Sequence, residues 1–238
     1  MEHSADTAPM SYVAVLRSPA MASLTLLGFV ASFVGYSQLN TGMPAFARAV
    51  SEVSTRTLGL AFAANTLVIV LLQLVVLGRI EGVRRTRVIA AMGLVWAVSW
   101  LCLGMSGLVP GTWGAAVLVA ACAGVFALGE TLLQPTIPAL VNDLAPDHLR
   151  GRYNALSSGA FQLAAVIAPA VSGLLIGRAL GEFYIGLRVV GSVLCGAIAI
   201  ARVEGQLDPR VNGVVVPPET PPPATPEPQV HVARTDPA

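Results

Sequence analysis

One carboxyl group in this chain stands where a carboxyl group is expensive. Glu130 lies in Phe126-Ala127-Leu128-Gly129-Glu130-Thr131-Leu132-Leu133-Gln134-Pro135 and is the only acidic residue inside the long apolar runs. In a bilayer-crossing helix, an acid near the centre costs about 2.5–3.5 kcal/mol on insertion scales. That cost points first to function, as a site that binds a proton reversibly or touches a polar substrate. The plainer reading is a structural carboxyl hydrogen-bonded to a neighbouring helix. Gln134 follows four residues later on the same helix face. Pro135 and Pro138 then remove helical hydrogen bonds, so the segment after Glu130 is expected to be kinked. Irregular backbone at membrane depth is tolerated only against protein or a watery cavity. Gln38, Asn40 and Gln162 are the further polar candidates. Each alone fits interhelical hydrogen bonding, and together they could line one cavity around a small molecule.

Other chemistries find no foothold. The three histidines, His3, His148 and His231, all lie outside the apolar runs, so intramembrane histidine chemistry is excluded. Cys102, Cys122 and Cys195 are odd in number and have no partner at metal-ligand spacing, and read as buried core thiols. Gly104-Met105-Ser106-Gly107 resembles the GxSG of intramembrane serine proteases, but no span carries a histidine base for it. No Asn-Pro-Ala of an aquaporin occurs, and the chain has no lysine for a phosphate-binding loop. No catalytic residue, metal or cofactor is expected, and an enzyme is the weakest of the functional classes.

The elements that must position these residues follow from composition. Of 238 residues, 55% are hydrophobic and only 11% are charged, against roughly 25% charged in a soluble domain. A soluble surface cannot be built from that, and the apolar excess excludes disorder over most of the length. Net charge is +1, which gives no reason to expect nucleic acid. Residues 18–47, 57–78, 88–129 and 153–177 carry no charge. A spanning helix needs about 20 apolar residues. Residues 88–129 as one helix would run about 63 Å at 1.5 Å per residue, so the chain turns back at Leu108-Val109-Pro110-Gly111-Thr112-Trp113. Six helices are predicted, near 20–43, 58–78, 87–107, 113–141, 154–177 and 183–203. Arg188 inside the sixth is expected to snorkel to the interface. Gly173 and Gly177 in the fifth, and Gly186, Gly191 and Gly196 in the sixth, are expected at close helix contacts.

An even number of spans puts both termini on one side. With both inside, Arg17, Arg79, Arg84, Arg85, Arg87, Arg150, Arg152, Arg202, Arg210 and Arg234 are cytoplasmic, and only Arg48, Arg56, Arg178 and Arg188 are outside. That is the orientation of the positive-inside rule. The first run is too long for a secretory signal and lacks its cleavage site. Residues 1–17 form a cytoplasmic amino-terminal segment and 18–205 the membrane domain. Beyond residue 206 lie nine of the 17 prolines, so 206–238 is expected to be an extended, disordered cytoplasmic tail.

Two loops on the cytoplasmic side carry a resemblance. Gly78-Arg79-Ile80-Glu81-Gly82-Val83-Arg84-Arg85-Thr86-Arg87 resembles a shortened form of the loop motif of the major facilitator superfamily. Asp143-Leu144-Ala145-Pro146-Asp147-His148-Leu149-Arg150-Gly151-Arg152 is similar to the Pro-x-x-x-Arg-Gly loop that the superfamily carries between its tenth and eleventh helices. Gly129-Glu130 through Pro135 to Pro138 resembles the tenth helix of bacterial drug:proton antiporter-like members. The resemblance implies an all-α membrane protein, six transmembrane helices forming the carboxyl-terminal half of a major facilitator fold. It implies a secondary transporter in the inner membrane, coupled to protons and exporting, with lipid and a small-molecule substrate as partners. The other half of the site would come from a missing amino-terminal six-helix half, or from a second copy inserted in the same orientation. Arg84, Arg85, Arg150 and Arg152 would pair with carboxylates such as Asp143 and Glu81 to hold the cytoplasmic face shut, or would serve topology alone. The competing class is a non-transporting six-helix subunit or regulator that docks on another membrane protein.

Overall fold

The computed structural model describes residues 12–214. The amino-terminal residues 1–11 and the proline-rich residues 215–238, to which most of the tail expectation refers, lie outside the described residues. Six helices are long and apolar enough to cross a membrane, and no strand occurs among the described residues. They are α1 (Pro19–Asn40), α2 (Thr55–Ile80), α3 (Arg85–Ser106), α4 (Trp113–Leu144), α5 (Arg150–Gly177) and α6 (Gly181–Gln206). All six predicted spans are present.

Local sequence explains their ends. Pro19 opens α1 at its first position, where the missing N–H costs nothing. Ser54 caps α2 by accepting from the Thr57 N–H, and Thr112 caps α4 by accepting from the Ala115 N–H. Gly111, at φ 71°, provides the left-handed residue of the α3–α4 turn. The first span ends at Thr41, earlier than expected, and the chain resumes as a short amphipathic helix, Gly42–Ala49, before α2. The fourth continues as helix through Pro135 and Pro138 to Leu144.

The core lies between α1, α3, α4 and α6. Trp96 stacks on Phe126 with ring centroids 4.5 Å apart and donates its indole N–H to the Phe126 carbonyl at 3.1 Å. Two glycines of α6 fit tight contacts. A Cβ at Gly191 would strike Val34, and one at Gly196 would lie 3.0 Å from the Ala90 Cα. Gly173, Gly177 and Gly186 have no atom within 4 Å of where a Cβ would stand, so the GxxxG of α5 is not a packing face here, against expectation. Helices α2 and α5 are peripheral, only 11% and 17% buried against 61% for α1.

Two further expectations are corrected. Arg188 does not snorkel: it is fully buried inside the bundle, because α1 offers it the Phe33 carbonyl and ring at depth, with Tyr184 of its own helix on the other side. The chain also stays ordered past Gln206. Leu207 joins the core, and Asn212, 3% exposed, docks on the start of α3. There the Arg85 N–H donates to the Asn212 carbonyl at 2.9 Å, and the Thr86 N–H donates to Asn212 Oδ1 at 3.0 Å. The residue before α3, Arg84, offers no side-chain cap, so Asn212 satisfies donors that would otherwise be orphaned. Proline content beyond residue 206 could not reveal this, because the capping amide precedes most of those prolines.

Candidate functional site

Glu130 sits half-buried on α4. Asn65 of α2, Tyr36 of α1 and Gln134, one turn further along α4, surround its carboxyl closely enough to interact with it. By strict hydrogen-bond geometry, Glu130 Oε2 and the Tyr36 hydroxyl are nevertheless buried without a partner. A buried polar atom left unsatisfied costs about 1–3 kcal/mol. Taking up a proton or a polar ligand group would relieve that cost. Asn65 is itself anchored, donating to the Ala123 carbonyl at 3.1 Å.

Beside this carboxyl a cavity of about 590 Å³ opens between α1, α4 and α5, with Tyr36, Gln134, Pro138, Ser158, Phe161 and Gln162 among its lining residues. Aromatic faces, two amides and hydroxyls suit a small amphipathic molecule. Pro138 has no N–H to give the Gln134 carbonyl, so a backbone acceptor lacks its helical donor at the same wall. Tyr36 is held edge-on against Trp96 and Phe126 at 5.7 and 6.2 Å and leans on Phe161 at 5.4 Å.

Of the sequence candidates, Gln134 and Gln162 line this cavity, while Glu130 stands one turn back along α4, beside the Tyr36 and Gln134 side chains rather than in the cavity wall. Gln38 and Asn40 stand elsewhere. Gln38 is fully buried, donating to the Ala168 carbonyl at 3.2 Å and accepting from the Tyr184 hydroxyl at 3.1 Å. Both ends of its amide are thus used to join α1, α5 and α6. Asn40 is exposed and donates to the Tyr36 carbonyl one turn back. Sequence reasoning missed Tyr36, Asn65, Ser158 and Phe161. Asn65 carried the same signal as Gln38, an amide in an apolar run, whereas an aromatic residue in such a run carries none.

Arg188 is the second charged group at depth. Its Nη1 donates to the Phe33 carbonyl at 2.5 Å, and its guanidinium lies 4.9 Å and 5.1 Å from the ring centroids of Phe33 and Tyr184. Among the described residues no carboxylate pairs with it.

The loop motifs gather at one end of the bundle. Arg85 meets Asp143 at 2.5 Å and also donates to the Val211 carbonyl at 2.8 Å, tying α3, the end of α4 and the chain after α6 together. Arg84 pairs with Glu204, which also accepts from the Thr86 hydroxyl at 3.1 Å. Arg150 pairs with Asp147, three residues before it, at 3.0 Å. Glu81 joins no ion pair among the described residues and lines a separate groove of about 540 Å³ with Gly78 and Arg85. Pro146 starts the short turn that leads into α5, and Gly151 and Arg152 lie in its first turn.

Neither the curated proteins nor the solved structures contain a match to this chain. The family model described as Major Facilitator Superfamily matches residues 22–233, which include all six spans but the first few residues of α1. Six helices long and apolar enough to cross a membrane, a cavity among them with two amides in its wall and arginine loops gathered at one end agree with that match, and the chain belongs to the major facilitator superfamily of membrane transporters.

Proposed function

We propose that the chain acts in secondary active transport of small amphipathic molecules, coupled to protons and directed outward. The observation that carries this reading is Glu130, a carboxyl within a membrane span with one buried oxygen left without a hydrogen bond, close to a cavity to which Gln134 and Gln162 contribute amides. Glu130 binds and releases the proton, while Gln134, Gln162, Tyr36 and Phe161 touch substrate. A carboxyl group that is neutral when protonated and charged when not changes the polarity of the cavity wall as it titrates, which links substrate occupancy to proton occupancy. Exposed Ser158 and Gln162 on α5 leave one side of the cavity open. A second six-helix body, either an amino-terminal half or another copy in the same orientation, closes it and supplies the facing wall. The arginine loops face the cytoplasm by their excess of positive charge, with Arg85–Asp143 and Arg84–Glu204 bracing that end. The membrane is the inner plasma membrane, with both termini inside.

The test is uptake of a lipophilic fluorescent dye into liposomes bearing the full chain, driven by an imposed pH gradient. Wild-type chain accumulates dye, and Glu130→Gln loses gradient-driven accumulation by about tenfold or more while retaining dye binding. Full gradient-driven transport by Glu130→Gln would defeat the proton assignment. Absence of any transport by the wild-type chain, alone or as a dimer, would defeat the transport reading for this chain by itself.

A further inference from the structure

Arg188 is buried, charged and unused by the proposed site, and its position invites an account. We infer that Arg188 is a positioning residue: its guanidinium holds a π-helical turn in α1, and that turn sets the face on which Tyr36 meets the cavity. The inference rests on the cavity reading above, since Tyr36 matters to transport only if that cavity is used.

The turn spans Ser32–Tyr36 within an otherwise α-helical span. A π-helical turn accommodates one more residue than an α-helical turn. If it relaxed to an α-helical turn, residues after it would rotate by about 100° relative to those before it. Tyr36 is the last residue of the turn, and it is there that its ring reaches the cavity and its hydroxyl lies near the Glu130 carboxyl without a hydrogen bond to it. A widened turn needs external partners, because its backbone groups no longer align with ordinary helical ones. Arg188 supplies one from α6 by donating to the carbonyl of Phe33, the second residue of the turn, with the rings of Phe33 and Tyr184 beside its guanidinium. Ser32, the first residue of the turn, ties it to α5 by donating its hydroxyl to the Phe161 carbonyl at 2.8 Å. The side chain is 0% exposed, and no carboxylate among the described residues neutralises it. The carbonyl of the turn is its strong acceptor, and Nε and Nη2 have none. A residue held this way serves the backbone geometry of α1 rather than a salt bridge.

The test reads the geometry of position 36 without reading transport. In the full chain carrying Cys102→Ala, Cys122→Ala and Cys195→Ala, a single cysteine is placed by Tyr36→Cys or, as a reference on the opposite cavity wall, by Gln162→Cys. Both are labelled in liposomes with a small water-soluble maleimide, with and without Arg188→Met. The expected result is a fall of about tenfold in the labelling rate at position 36, the scale of one lost charge-assisted hydrogen bond. Position 162 keeps its rate, and Arg188→Lys, which retains a charged donor, restores labelling at 36. Unchanged labelling at 36, or an equal fall at both positions, overturns the inference. If Arg188→Met does not fold, Arg188→Gln is compared with Arg188→Lys in its place, and equal labelling at 36 in the two overturns the inference. A chain that transports nothing yet shows the selective fall at position 36 would sink the functional reading while leaving the role of Arg188 standing.

Discussion

At the end of the bundle that carries the arginine loops, Arg84, Arg85 and Arg150 each meet a carboxylate, those of Glu204, Asp143 and Asp147. Within the spans, Arg188 meets a carbonyl and two aromatic rings, and Glu130 meets amides and a phenol. The two deep charges stand on different helices and do not neutralise each other. Near water an ion pair is inexpensive to form and contributes little, about 0–1 kcal/mol. At depth a buried pair would bind the carboxylate firmly, and a carboxylate locked by a guanidinium exchanges protons poorly. Keeping Arg188 and Glu130 apart therefore leaves the guanidinium to the α1 backbone and the carboxyl without a cationic partner among the described residues.

Three substitutions test this contrast, in falling order of expected effect. Arg188→Glu would set an uncompensated carboxylate against the Phe33 carbonyl. A loss of about 3–5 kcal/mol is expected, seen as little or no monodisperse protein on size exclusion in detergent. A yield and melting temperature like those of the wild type would mean that the site is not desolvated. Asn212→Ala leaves the buried Thr86 N–H without its acceptor, and a loss of about 1–3 kcal/mol should lower the thermal midpoint in detergent. Asp143→Asn removes an ion pair whose carboxylate side chain is 48% exposed, and the midpoint should move by less than about 1 kcal/mol, with the wild-type value falling slightly as salt is added. A larger effect from Asp143→Asn than from Asn212→Ala would reverse the contrast, making the surface pair the stronger fastening.

The spans were readable because their cause is local. Charge-free runs of sufficient length have one stable form in a bilayer, and the Pro110-Gly111 turn divides the run that is too long. Glu130 was readable for the same reason, as a cost that composition alone exposes. What the pattern could not convey was convergence. Gln38 and Gln162 look alike as amides in apolar runs, yet Gln38 is consumed between α5 and α6 while Gln162 lines the cavity. Partner assignment depends on which helices pack together, and that depends on contacts such as Gly196 on Ala90, whose counterpart is invisible along the chain. Arg188 was misplaced because snorkelling is judged by distance to a helix end, whereas its burial depends on the π-helical turn of another helix. Tyr36 went unnoticed because an aromatic residue costs nothing in lipid.

The docking of Asn212 on α3 also has a meaning in time. Synthesis delivers α3 to the membrane long before residue 212 exists, so the third helix enters with its first amides open and acquires its lid only after the sixth has been inserted. The nascent bundle is thus left unlatched until its final helices arrive. A chain cut at the end of the last apolar stretch, as hydropathy would suggest, would contain every span and still lack the fastening that closes the assembly.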